Sequence, residues 1–201
     1  MKKIILVVLL SFFLTGCTVV RIDTDSIDNT INVILSKDNQ LFNHIGRGYK
    51  YYIPRGVNYI DTTDYNEKLY TNGNYYYLYI DVISYFYNKK VDYVINNEAY
   101  YSKAISMNGK DGYLEINQNG DFYLVEFMYN FAKIEALVEK DDINDVVLNA
   151  SYILSTIKFN SNVINLMLDS NYFINKEEQY DIFTSKKTTN KFLEYNTDEE
   201  N

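Results

Sequence analysis

Residues 99–139 read AYYSKAISMNGKDGYLEINQNGDFYLVEFMYNFAKIEALVE, and this stretch decides the fold. Two runs of turn-forming residues, at 108–112 and 119–120, separate segments that are rich in aromatic and aliphatic side chains. Such spacing is typical of β-hairpins. In the last segment apolar Ile134, Ala136 and Val138 alternate with charged residues, which predicts a strand with one solvated face. The stretch therefore predicts an antiparallel meander.

The segment upstream extends this meander. Residues 68–71 and 75–87 flank an Asn-Gly-Asn turn at 72–74, which is a strong hairpin signal. We expect the second strand to run over the whole of 75–87. Residues 49–54 are also expected to be extended, because the residue before Pro54 is disfavoured in the helical region. We expect the antiparallel meander to have about five or six strands.

Helices are predicted on both sides of the meander. After it, an apolar stripe at helical spacing runs through 143–157, with Asp141 or Asp142 as the N-cap. Before it, a shorter stripe starts near Asp25 or Ser26, and residues 163–168 fit another short helix. The fold class is therefore α+β: a meander packed against helices, with a long helix after the last meander strand. We expect one domain over 25–174 and a polar, loosely packed tail over 175–201.

This order of elements is similar to that of the PsbP-like α/β/α sandwich, which occurs in some bacterial lipoproteins and in photosystem accessory proteins. The features that carry the resemblance are the meander with Tyr and Asn at its turns, and the final helix that runs into Ile157-Lys158-Phe159. The resemblance implies a sandwich fold and no particular function. A cystatin-like or another sheet-on-helix fold fits the same pattern.

The first seventeen residues have the features of an export signal. Met1-Lys2-Lys3 is basic, residues 4–14 are mostly apolar, and Leu14-Thr15-Gly16-Cys17 resembles the lipobox of bacterial lipoproteins. That resemblance implies fatty acylation of Cys17 through diacylglyceryl, and cleavage between Gly16 and Cys17. Residues 1–16 are then a signal peptide and 17–24 a lipidated cysteine with its tether. The expected location is the outer face of the cell membrane. Abundant Asn, Tyr, Ile and Lys favour an AT-rich genome, such as that of a low-GC Gram-positive bacterium.

Composition excludes several classes of protein. The chain has 201 residues, one Cys and one His, so an internal disulfide and a paired-histidine metal site are both excluded. The net charge of −8 argues against a nucleic-acid partner, which requires a basic surface. We find no nucleophile elbow, no dinucleotide fingerprint and no P-loop. The sequence therefore predicts no cofactor, no metal site and no catalytic residue.

Two weaker features of the sequence are compatible with catalysis. His44 lies in a polar loop near two glycines, without a Ser or Cys motif to serve as its nucleophile. Glu115 and Glu126 fall on adjacent predicted strands across the turn at 119–120, where they could form the carboxylate pair of a glycosidase. The alternative is two solvated strand carboxylates. A pair that met in a concave pocket would favour the enzyme.

Tyrosine supplies the remaining candidate site. The chain contains 22 Tyr, and in 75–87 the odd-numbered positions include Tyr77, Tyr79 and Tyr85, whereas the even positions are mostly aliphatic. Because Tyr is enriched at binding surfaces, this strand face is a candidate surface for an envelope protein or a glycan. The alternative is that a helix covers it. We expect the latter, because a secreted monomer rarely exposes so large an apolar strip.

The sequence thus predicts a membrane-anchored extracytoplasmic lipoprotein that acts as a non-catalytic binding or assembly module. Its expected partners are the membrane, through the lipid anchor, and an envelope protein or glycan. One alternative is an envelope glycan hydrolase with paired carboxylates. Another is a transport-accessory solute-binding lipoprotein, although the two-lobed members of that class are larger.

Overall fold

The computed structural model describes residues 26–63 and 65–169, so the lipobox and the predicted tail lie outside the described residues. A 3₁₀ turn, Lys140–Asp142, precedes the longest of the helices described. The elements in chain order are α1 Ile27–Leu35, β1 His44–Ile45, β2 Tyr49–Tyr51, β3 Asn58–Thr63, β4 Asn66–Thr71, β5 Asn74–Ile80, α2 Val82–Phe86, β6 Tyr101–Met107, β7 Lys110–Asn119, β8 Phe122–Tyr129, β9 Ala132–Val138, α3 Ile143–Thr156, β10 Lys158–Phe159 and α4 Ser161–Asp169.

Within the described residues the main sheet has seven antiparallel strands in the order β3-β4-β5-β9-β8-β7-β6. Two meanders, β3 to β5 and β6 to β9, therefore meet side by side where β5 pairs with β9. The α+β class and the antiparallel sheet are confirmed. The edge strand β3 is not among the predicted strands, because it is exposed at every position and carries no apolar alternation.

The strand predicted over 75–87 is wrong beyond Ile80. The chain leaves the sheet at Asp81, whose Oδ1 accepts a hydrogen bond of 2.7 Å from the backbone N–H of Ser84 and so caps α2. Val82 and Ile83 are buried in that short helix. Alternation of Tyr with aliphatic residues could not distinguish this short helix from a strand that continues to residue 87.

The long helix α3 follows the last meander strand as expected and packs on β8, β9 and α1. Its apolar stripe is buried against one face of the main sheet, here called the core face: Ile143, Val146, Val147, Ala150, Ile153 and Leu154. Asp142 occupies the N-cap position, but its carboxylate accepts a hydrogen bond from Asn74 instead of capping the helix. At the start of α1 the predicted cap Ser26 does accept from the Asn29 backbone N–H.

A second sheet is small and joins distant parts of the chain. Its order is β1-β2-β10, with β2 in the middle and both neighbours antiparallel. Gly48, just before β2, has a φ of +83°, and a Cβ there would approach Ile164 Cγ1 to 2.8 Å. Glycine at this position therefore lets α4 pack closely against the turn between β1 and β2.

Candidate functional site

The opposite side of the main sheet, here called the second face, carries a line of polar side chains. Residues directly opposite each other on neighbouring strands share a face and have Cβ atoms about 5 Å apart. Strand register therefore aligns three glutamates on β9, β8 and β7, which we call the carboxylate row. The full line is Lys68, Tyr77, Glu135, Glu126, Glu115 and Ser102.

Lys133 stabilises one end of the carboxylate row. It lies two positions before Glu135 on β9, so both side chains point to the second face. The Lys133 ammonium forms an ion pair with Glu135, and its Nζ lies 3.9 Å from Oε1 of Glu126. The same Nζ is 5.5 Å from the ring centre of Tyr79. The Lys133 ammonium thus interacts with two carboxylates and an aromatic ring.

Glu126, in the middle of the row, has an unusual protonation equilibrium. Burial raises its pKa to about 7, against the lowering effect of Lys133, while the charges of Glu135 and Glu115 raise it further. A carboxyl group with this pKa exchanges its proton near neutral pH. Since its side chain is 23% exposed, Glu126 can also meet a ligand.

Glu115, at the other end of the row, holds a loop in place. Its Oε2 accepts from the hydroxyl of Tyr93, and its Oε1 accepts from the side-chain amides of Asn96 at 3.0 Å and Asn117 at 2.8 Å. The Tyr93 ring stacks on Tyr113, with ring centres 4.2 Å apart. Burial, followed by the hydrogen bond to Glu115, raises the pKa of Tyr93 to about 12, so that its hydroxyl remains a donor. Through these hydrogen bonds Glu115 anchors the loop of residues 88–99 to β7.

Tyrosines flank the row on the β4–β5 side. Tyr77 is 9% exposed, while Tyr75 and Tyr79 are half-buried. The ammonium of Lys68 lies 4.4 Å from the ring centre of Tyr75 and 5.7 Å from that of Tyr77. Burial, with a contribution from Glu135, raises the pKa of Tyr79 above its ordinary range. The second face thus combines aromatic rings with charged groups.

The structure separates Tyr85 from the other two predicted tyrosines. Tyr77 and Tyr79 share the second face of β5, but Tyr85 lies on α2. Its ring stacks on Phe159 of β10, with ring centres 4.1 Å apart. Because the chain turns into α2, the row of three tyrosines expected on one strand does not form.

A second polar cluster lies on the core face, around Glu67, and the sequence analysis did not predict it. This side chain is 2% exposed, and its two oxygens accept hydrogen bonds from the hydroxyls of Tyr49 and Tyr51. His44 Nε2 lies 3.4 Å from Glu67 Oε2, and the His44 ring contacts Tyr51 and Tyr59. The sequence did hold a signal, because Glu67 has the same parity as core Leu69 on β4. The cluster joins the small sheet to the main one.

The comparisons with known proteins found no relatives: no protein-family model, no curated protein and no solved structure matches the chain. The resemblances to lipoproteins and to the PsbP-like sandwich therefore stay predictions. In the described part of the chain, no group of three His, Cys, Asp or Glu side chains is placed to hold a metal ion. Nor is any described helix long and apolar enough to cross a bilayer.

Proposed function

We propose that this protein is a lipid-anchored extracytoplasmic lipoprotein whose single domain binds an envelope component without catalysis. The proposed membrane location depends on residues 1–17. These comprise basic N-terminal residues, an apolar run and the lipobox-like Leu14-Thr15-Gly16-Cys17. Two acyl chains on Cys17 would give stable membrane attachment, whereas a single chain is marginal.

One observation carries the binding role: the two faces of the main sheet have different chemistry. The core face is covered by α3, whereas the second face carries the half-buried Tyr75 and Tyr79 and the partly exposed Glu126, beside the buried Lys133 and Glu135. Aromatic rings near the Glu126 carboxyl group suit a sugar, whose apolar ring face stacks and whose hydroxyls donate to carboxylate oxygens. We therefore favour a glycan of the envelope, and an envelope protein is the other candidate partner.

Glycan hydrolysis is the second candidate, and the state of Glu115 weighs against it. Glu115 and Glu126 are direct cross-strand partners, as a carboxylate pair requires, and the raised pKa of Glu126 suits a general acid. However, hydrogen bonds from Tyr93, Asn96 and Asn117 occupy both oxygens of Glu115, which is buried. A nucleophile or base needs an oxygen that can reach the substrate or a water.

Lipid attachment is tested by metabolic labelling with an azide-bearing fatty acid. The wild-type chain should incorporate the label, and Cys17→Ala should not. Ser11→Ala, a change within the apolar run, is the matched control and should label like the wild type. Equal labelling of the wild type and Cys17→Ala would overturn the proposed anchor.

Binding is tested by co-sedimentation with isolated cell-wall glycan. Tyr79→Phe and Glu126→Gln, which keep the shapes of the side chains, should each weaken binding, while Tyr100→Phe, in an exposed loop, should not. The same samples are assayed for new reducing ends. Their appearance at a rate that depends on Glu126 would replace the binding proposal with the hydrolase.

A further inference from the structure

Two lysines face each other in the small sheet. Lys50 in the middle of β2 is the direct cross-strand partner of Lys158 on β10, and Ile45 of β1 continues the line. Like charges directly opposite each other on antiparallel strands are destabilising. An anion that bound between the two ammonium groups would remove this repulsion.

These lysines border a cavity of about 590 Å³ between the small sheet and the start of α4. Its wall also includes Arg47, Gly48, Phe159 and Asn160. The volume lies in the range of small-molecule sites and is much larger than a single ion needs. A ligand that fills this cavity therefore carries more than an isolated anionic group.

Among the described residues, the charged side chains that line the cavity are Arg47, Lys50 and Lys158, all of them basic. Asp38 accepts from Lys158 at 3.0 Å, but its side chain is 75% exposed, so that solvent screens this pair. The Lys50 ammonium lies 3.8 Å from the ring centre of Phe42, which is a cation–π contact. The Asn160 side chain already caps α4 by accepting from the Val163 N–H, so the cations and not the helix end would hold an anion.

Basic residues also border a neighbouring cavity. This second cavity, of about 220 Å³, is bordered by Lys89, Lys90, Lys110 and Asp111. Burial, followed by the positive charge of Lys158, lowers the pKa of Lys110, and Asp38 acts in the opposite direction. Lys110 and Lys158 are therefore close enough for their charges to interact.

We propose that the cavity between Lys50 and Lys158 binds the phosphate group of a small phosphate ester. Lys50 and Lys158 would hold the phosphate from opposite sides, and Phe159 provides an apolar surface for the organic part. The ester can be a soluble metabolite or the headgroup of a phospholipid, because both present the same anionic oxygens.

The experiment is isothermal titration calorimetry at low salt on the full chain in a neutral detergent. One probe is glycerol 3-phosphate, a soluble phosphate monoester, and the other is glycerophosphoglycerol, which has the diester of a phospholipid headgroup. Saturable binding of either probe is expected, and the preferred probe assigns the source of the phosphate. Lys50→Gln and Lys158→Gln should each weaken binding about tenfold or more. Lys68→Gln, on the second face of the main sheet, is the matched control and should bind like the wild type.

The proposal fails under any of three results. The first is that neither probe binds the wild type below about 10 mM, a concentration at which any anion associates with exposed lysines. The second is that Lys50→Gln and Lys158→Gln bind as tightly as the wild type. The third is that Lys68→Gln weakens binding as much as they do, which would indicate a general charge effect. Circular dichroism of each variant establishes that a loss of binding is not a loss of folding.

Discussion

Replacing Glu126 with Gln should stabilise the protein at high pH and leave it nearly unchanged in mild acid. The substitution keeps the size of the side chain and removes its ability to ionise. In the native protein burial raises the pKa of Glu126 from 4.5 to about 7. The native state therefore holds this proton more tightly than the unfolded chain does. The stability that the protonated Glu126 side chain contributes is fully present below pH 4.5 and is lost as the pH rises through about 7.

The size of the effect follows from the two pKa values. The difference between 4.5 and about 7 corresponds to about 3 kcal/mol at pH values above both. At about pH 9 the ionised wild-type side chain thus destabilises the fold by about 3 kcal/mol, and at about pH 5 by about 1 kcal/mol or less. Because Lys133 keeps its ion pair with Glu135, the variant does not leave that ammonium without a carboxylate.

Urea unfolding of wild type and Glu126→Gln at about pH 5 and pH 9 measures this difference directly. Glu139→Gln, the same chemical change at an exposed site just beyond β9, is the control and should show no such pH dependence. A gain for Glu126→Gln that is equal at both pH values, or a loss at high pH, would refute the reasoning. Either result would mean that Lys133 and solvent compensate the buried charge.

Three further changes test the packing of the fold. Leu154→Ala, at a fully buried position of α3, should lower the free energy of unfolding by about 2–5 kcal/mol in urea titrations, and a loss below about 0.5 kcal/mol would contradict the assigned helix face. Gly112→Ala should destabilise by about 1–3 kcal/mol, because its Cβ would approach the backbone oxygen of Met128 to 2.0 Å; an unchanged melting temperature would show that β7 and β8 separate easily. Tyr93→Phe should speed hydrogen exchange in residues 88–99, since Glu115 loses a donor, while exchange in α3 should not change.

Local signals in the sequence predicted the regular elements well. The hairpins at 72–74, 108–109 and 119–120 formed because Asn and Gly accept positive φ, as at Asn72 with φ +48° and Asn108 with φ +52°. The spacing of apolar residues predicted α3 because its buried residues recur at the helical period. The hairpin register even placed Glu115 beside Glu126, as expected for two strands joined by a short turn.

The errors occurred where local pattern and tertiary context disagree. Asp81 turns the chain out of the sheet, which alternation alone did not reveal, and β3 is an exposed edge strand held by its pairing with β4. The predicted position of Tyr85 on the strand was wrong because the chain leaves the sheet at Asp81. Its ring packs on Phe159, a residue that no nearby sequence pattern connects to it.

The sequence by itself determined the turns, the amphipathic helices, the acidic balance and the proposed membrane address, because each depends on neighbouring residues. Only the tertiary structure decided that β9 lies between β5 and β8, and hence that Glu135 joins Glu126 and Glu115 in one row. It also placed Lys158 opposite Lys50, which are far apart in the chain. Burial and charge at these sites arise from strands that pair over long separations. The raised pKa of Glu126 and the basic cavity are therefore properties of the fold, which no segment of the sequence carries alone.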